Sequence, residues 1–322
     1  MTAAATDWIA LPHDPHPMLP AGCSSLLEQG ALVIETRPGL TEPAVLVDHQ
    51  VASCTFSVLA DPETGVSVLH RQGRVLRRHS LPGPIAPLTT GALITYAWNT
   101  AGRAWALSVT APDGSDSHRI TGSGPIALMA HDAWGLCQPS EHQMVDWCGV
   151  RVLRSTPVGN LLVGQDTPIT TPSGDRPAHS QQPGDTVLSP DGIENTLREV
   201  RSVELPCFGS LSAVALRSGP FRIRHDVLLG PQTVLRLQGD DVEYVFGQEA
   251  VLNAAQDLTD PRLAERQRDG RTAHMIGIVT AHPGLIQTGT LALHAGHAPR
   301  ILRPYEAAAL MSARRGTPLR AA

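Results

Sequence analysis

Asn160-Leu-Leu-Val-Gly-Gln-Asp-Thr-Pro-Ile-Thr-Thr-Pro-Ser-Gly174, followed closely by Pro183-Gly-Asp-Thr-Val-Leu188, decides how this chain folds. Its apolar runs are too short for helices, and Gly, Pro and Asp interrupt them where a chain reverses direction. The reading is strand, turn, strand, with Pro183-Gly-Asp185 turning into a further apolar strand and another strand ending near Glu204.

Further short apolar segments continue the pattern: Val203-Glu-Leu-Pro206, Leu211 to Arg217, His225-Asp-Val-Leu-Leu-Gly-Pro-Gln-Thr-Val-Leu-Arg236, Val242 to Gly247 and Val251 to Ala255. Leu302-Arg-Pro-Tyr-Glu-Ala307 closes the series, with Pro304 placed to start a helix over an Ala-rich run. In order and spacing, the stretch from Pro157 to Glu306 resembles the Hedgehog/intein (Hint) domains of bacterial proteins. The resemblance implies a Hint-type β-fold with a short C-terminal helix.

It also implies a chemistry. Hint domains cleave themselves by an acyl shift, in which a thiol or hydroxyl at the first residue attacks the preceding peptide carbonyl. A histidine protonates the leaving amide nitrogen, and donors hold the developing oxyanion. Asp166-Thr-Pro-Ile169 matches the family's Gly-Thr-x-Ile, which places its nucleophilic Cys at Leu162. The family's catalytic His follows a Ser-Pro-x turn. The matching stretch here is Gly230-Pro-Gln-Thr233, so Thr233 takes its place. Leucine has no nucleophile and threonine no group that titrates near neutral pH, so both positions are degenerate.

Other residues offer partial substitutes. Ser155 and Thr156 lie several residues before the nucleophile position, and using either would shift the strand register and exchange its faces. His225 stands eight residues before Thr233, which places it at the other end of one strand, ~25 Å away. His282, in Thr280-Ala-His-Pro-Gly284, matches a late histidine of the family but also suits a turn cap. Cys207 follows the wrong strand for the nucleophile and reads as a buried or turn thiol. The sequence ends in Arg-Ala-Ala, without the His-Asn pair with which inteins release a following segment. The expectation is therefore a Hint protein without self-cleavage, acting as a binding or scaffold protein. Autoproteolysis through Thr156 or Cys148 with His282 is the alternative.

The first half reads as strands too. Ala31–Thr36, Val45–Val47, Ser53–Leu59, Val66–Leu69, Leu93–Trp98 and Ala104–Val109 carry apolar residues at a strand period, bounded by turn formers. Asn99-Thr-Ala-Gly102, Asp61-Pro-Glu-Thr-Gly65 and Pro112-Asp-Gly114 are turns between them. This predicts an antiparallel β-sandwich, jelly-roll-like, which resembles the concanavalin-like modules that bind glycans or surfaces. Trp98 and Trp105, with Tyr96, are either core rings or a ligand platform. The stretch from His131 to Arg154 reads as a connector with a short helix. The expected domains are 1–154, the sandwich with its connector, and 155–322, the Hint-like part, so the whole is all-β.

Composition agrees and excludes other classes. The chain has 322 residues, 42% hydrophobic and 17% charged, with 29 Gly and 27 Pro, and no lysine at all. A net charge of -5 without a basic block, and 4% aromatics, make nucleic acid an unsuitable partner. Five scattered cysteines (Cys23, Cys54, Cys137, Cys148 and Cys207) lack any C-x-x-C pair. They suit reduced thiols and a cytoplasmic setting, with export by a leaderless route as the alternative. His131, Asp132, Cys137, His142 and Cys148 fit no metal spacing, and His13-Asp-Pro-His16 lacks a third ligand, so no metal is expected. No phosphate loop, Gly-x-Ser-x-Gly elbow or membrane span is present in the sequence, and no cofactor is implied. The partner, protein or glycan, has no signature.

Overall fold

The computed structural model describes residues 7–14, 16–17, 25–112, 114–138, 143–152, 161–218, 223, 225–260, 263–267, 272–296, 298 and 300–316. The chain divides into two compact units, Ala5–Ser155 and Thr156–Ala322. Both are built of antiparallel strands, so the protein is all-β.

In the first unit the sheets follow from turn chemistry. Asn99 Oδ1 accepts the Gly102 amide at 2.7 Å, which closes the hairpin between Leu93–Asn99 and Ala104–Thr110. Asp61 Oδ1 accepts the Glu63 amide at 3.0 Å ahead of Gly65, and joins Cys54–Asp61 to Gly65–Gln72. Gly65, at φ +107°, has no room for a Cβ, which would meet Leu81 O at 2.0 Å. Six strands make one sheet in the order Trp8–Ala10, Val145–Arg151, Gln29–Thr36, Leu93–Asn99, Ala104–Thr110, Ser117–Ser123. Four make another: Ala44–Gln50, Cys54–Asp61, Gly65–Gln72, Val75–Pro82. Leu32, Ile34 and Ile94 from the first sheet and Phe56, Val58 and Val68 from the second share one buried core, so the two sheets form a sandwich.

Between His131 and Arg154 the expected short helix is present as Ala130–Leu136, but the rest is not simply connector. Val145–Arg151 is a full strand, paired with Gln29–Thr36 through Cys148↔Ile34 and Val150↔Leu32. Trp8 packs edge-on against Trp147, and Gly149 leaves room for the Trp8 ring, which a Cβ would meet at 2.7 Å.

The second unit has a seven-stranded sheet. Its order is Thr186–Leu188, Glu194–Pro206, Thr272–Thr280, Leu161–Gly164, Val227–Leu229, Val214–Leu216, Ala264–Arg266. A four-stranded sheet runs Ala250–Ala254, Val234–Gln238, Leu291–Ala295, Gly284–Thr288. Leu161, Val163, Leu229, Ile276 and Ile278 from the larger sheet and Leu235 and Leu293 from the smaller enclose one core. The helix Pro304–Gly316 adds Leu310 and Met311 to it. Proline occupies its first position, and the Glu306 carboxylate accepts the Arg303 amide at 2.8 Å.

Val227–Leu229 and Val234–Gln238 belong to different sheets, separated by the turn Gly230–Thr233. This corrects the placement of His225 on one strand with Thr233. Gly230 and Pro231 end the first strand, and the Thr233 amide bonds to Gly230 O at 3.0 Å.

Candidate functional site

Leu162 sits in Leu161–Gly164, between Val227–Leu229 and Thr272–Thr280, opposite Gly277. Strand alternation sends Leu161 and Val163 into the main core and Leu162 to the other face. There its side chain packs with Leu228 against a small buried cluster of Leu205, Cys207, Ala213, Ala273 and Met275. Gly230 leaves it room, because a Cβ on Gly230 would stand 2.6 Å from the Leu162 Cβ.

Thr233 lies directly against this residue and is completely buried. The Leu162 amide donates to Thr233 Oγ1 at 3.1 Å, and the Thr233 hydroxyl donates to Leu162 O at 2.8 Å. Leu162 O also accepts the Gly230 amide at 2.9 Å. The two positions that the sequence pairs as nucleophile and acid are thus brought together, although they lie 71 residues apart.

For an acyl shift at Leu162, the leaving nitrogen is its own amide nitrogen. The side chain at position 233 touches that atom. The contact is where the chemistry needs it, but the group making it is a hydroxyl whose single proton is already donated to a carbonyl. With an alkyl side chain at 162, the arrangement orders the strand and has nothing with which to open a peptide bond.

His282 is not part of this constellation. It is exposed, in the turn after Thr272–Thr280, and its backbone does the ordering. Asn195 Nδ2 donates to His282 O at 2.8 Å, the Thr280 hydroxyl donates to the same oxygen at 2.7 Å, and the His282 amide donates to Asn195 Oδ1 at 3.3 Å. Gly277, which pairs with Leu162, lies within Thr272–Thr280, whereas His282 lies beyond the end of that strand. Cys207 is buried in the cluster beneath Leu162. Ser155, Thr156, Cys23 and His142 lie outside the described residues. A cleft of about 370 Å³ opens elsewhere in this unit, lined by Arg236, Gln248, Leu285, His294 and Arg300 among others, and includes none of Leu162, Thr233 or His282.

In the first unit Trp98 is 1% exposed, and its Nε1 donates to Leu27 O at 2.9 Å, so its ring belongs to the core and offers no platform. Trp105 is half-buried. One face stacks on His79 with centroids 4.4 Å apart, and the ring fills the space over Gly122, where a Cβ would meet it at 2.6 Å. Trp98 is therefore a core ring, whereas Trp105 keeps part of its ring exposed.

The titratable groups of the connector do not gather as one set. Cys148 Sγ donates to Leu136 O at 3.2 Å beside Cys137, whose thiol burial holds far above its ordinary range. Asp132 meets His131, its neighbour in that set, together with His49 and Cys54, which the sequence had not joined to it. His49 Nε2 lies 3.2 Å from its Oδ1, His131 Nε2 lies 3.3 Å from the same oxygen, and the Cys54 thiol stands beside the carboxylate. Burial first, and then the Asp132 charge, push Cys54 up to about 12, so it is not a thiolate nucleophile. The separations in sequence (49, 54 and 132) explain why no local spacing revealed this group.

The second unit is thus an antiparallel β-domain whose strand Leu161–Gly164 is held at Leu162 by the turn Gly230–Thr233. Residues 163–293 match the family model of the Hint domain, and this part of the chain is a Hint domain. Among solved structures, the chain is similar to the MchDnaB-1 intein at 10% identity, covering 42% of this chain and 99% of that one, with a TM-score of 0.29. It is similar to full-length tailspike protein 2 from Escherichia coli O157:H7 bacteriophage CAB120 at 12% identity, covering 41% and 21%, with a TM-score of 0.26. The LG1-3 region of the laminin alpha2 chain is similar at 12% identity over 85% and 55%, with a TM-score of 0.28. No curated protein matches the chain. Among the described residues, no helix is long and apolar enough to cross a membrane.

Proposed function

We propose that this protein carries a Hint domain that does not cleave itself, and that it acts as an intact two-unit chain through binding surfaces. The observation that carries the reading is the Leu162–Thr233 contact. The hydroxyl of Thr233 both accepts from and donates to the backbone of Leu162, at the nitrogen an acid would have to protonate. A side chain locked in this way stabilises the strand in its uncleaved form. His282, held in an exposed turn well away, supplies no replacement acid.

The intact mass of freshly purified full-length protein, incubated with and without dithiothreitol or hydroxylamine, tests this. These reagents intercept thioesters and esters. A single unchanged mass under all conditions is expected. Two fragments meeting near residue 160 would overturn the reading and require a nucleophile elsewhere than position 162.

A further inference from the structure

We propose that the first unit binds one zinc-class divalent cation through His49 Nε2, Cys54 Sγ and the Asp132 carboxylate. One ligand atom from each of the first three residues lies within 4.8 Å of the others. A zinc ion holds nitrogen, oxygen and sulfur ligands about 2.0–2.3 Å away, which sets tetrahedral neighbours roughly 3.3–3.8 Å apart. The His49–Asp132 pair, at 3.2 Å, already has about that spacing. A mixed nitrogen, oxygen and thiolate set suits a borderline cation such as zinc better than magnesium or calcium, which prefer oxygen alone.

Asp132 makes the strongest case for an absent ligand. Its side chain is completely buried, and besides the two imidazoles on Oδ1 only the weak Cys54 thiol is shown to turn to it among the described residues, with no nitrogen or oxygen donor on Oδ2. Among the described residues this carboxylate pairs with two imidazoles and with no guanidinium. A buried carboxylate without a strong donor on one oxygen carries a cost that a bound cation removes. The simpler assignment, a Cys-His-Asp catalytic triad, fails on arrangement: the carboxylate sits beside the thiol as well as the imidazole, and Cys54 is fully buried.

The frame around the ligands holds them before any ion arrives. His49 and Cys54 lie on adjacent strands, Ala44–Gln50 and Cys54–Asp61, whose connection is closed by Val51 and Cys54 exchanging backbone hydrogen bonds at 2.8 and 3.2 Å. Asp132 is in the first turn of the helix Ala130–Leu136. One turn further on, Gly135 lets the His49 ring lie on the helix, because a Cβ there would meet His49 Cε1 at 2.5 Å. His131 is 63% exposed and gives the ion a way in from solvent. On binding, the Cys54 proton leaves to solvent as the sulfur–metal bond forms. The ion then ties a hairpin to a helix of seven residues, which is too short to persist by itself.

Cobalt titration of chelator-treated full-length protein tests the site, because a thiolate ligand gives a sulfur-to-cobalt charge-transfer band. The expected result is saturation at one cobalt per chain, with the band abolished by zinc and absent from Cys54→Ser and Asp132→Asn but retained in Cys207→Ser. No charge-transfer band in the wild-type protein at saturating cobalt, or a band that persists in Cys54→Ser, would overturn the proposal. So that the test stands even where a site variant fails to fold, the wild-type melting temperature is also measured with zinc and with chelator. A rise with zinc supports the site, and equal melting temperatures would overturn it.

Discussion

Thr233 commits its hydroxyl on both sides, to the amide and to the carbonyl of Leu162, with no solvent contact. Thr233→Val keeps the shape and removes both bonds, leaving a backbone donor without its partner. A loss of about 1–3 kcal/mol in urea unfolding is expected, with no change in chain integrity. The converse substitution, Leu162→Cys, restores a thiol while leaving position 233 without a proton to give the departing nitrogen. Intact mass after incubation with dithiothreitol should remain single. Cleavage of that variant would show that the thiol alone suffices, and that the silence of the wild-type domain comes from position 162 only.

Among the elements, the junction between Leu161–Gly164 and the end of Val227–Leu229 is the tightest part of the site. A Cβ at Gly230 would lie 2.6 Å from the Leu162 Cβ and 3.0 Å from its Cδ1, so Gly230→Ala forces the two strands apart. A destabilisation of about 1–3 kcal/mol is expected, and Leu162→Ala in the same chain should leave the Cβ contact and relieve only the Cδ1 part. A double-mutant cycle by thermal unfolding measures the coupling, and strict additivity would show that the clash is absorbed elsewhere. The Hint domain was legible from sequence because its strands are short, ordered and separated by turn residues. Positions 162 and 233 were legible as a pair only through the resemblance of Asp166-Thr-Pro-Ile169 and Gly230-Pro-Gln-Thr233 to the Hint motifs. The strand Val75–Pro82 was not, because its burial is inverted: Val75 and Leu76 are exposed, while His79 and Leu81 face inward. Val145–Arg151 escaped because its register is set by Gln29–Thr36, more than 100 residues earlier, and by Trp8, which leave no local period to read. His225 was misplaced because Gly230-Pro231 ends a strand that periodicity alone would have continued.

At the scale of the whole molecule, the buried apolar residues of Ala5–Ser155 and of Thr156–Ala322 form separate clusters, so each unit has what it needs to unfold as its own cooperative step. Truncating one core should lower one transition. Val68→Ala, in the first, and Leu293→Ala, in the second, are each expected to cost about 1–5 kcal/mol and to move different calorimetric peaks. Acid should distinguish the same two steps. His70 is buried against Phe56, and burial pushes its pKa from 6.5 down to about 4, despite the opposing hydrogen bond of Gln72 and charge of Asp132. His79, on the neighbouring strand, is pushed the same way by burial and by Arg77. An imidazole that resists protonation in the fold, but not in the unfolded chain, destabilises the fold as pH falls from about 6.5 toward 4. Above 6.5 both states are neutral and the effect vanishes. The gap for His70 corresponds to on the order of 3 kcal/mol. With chelator present to set any bound cation aside, the peak moved by Val68→Ala should therefore fall steeply across this window, and His70→Leu should flatten it. If the slope instead followed the peak moved by Leu293→Ala, the acid sensitivity would lie in the Hint domain and not with these two histidines.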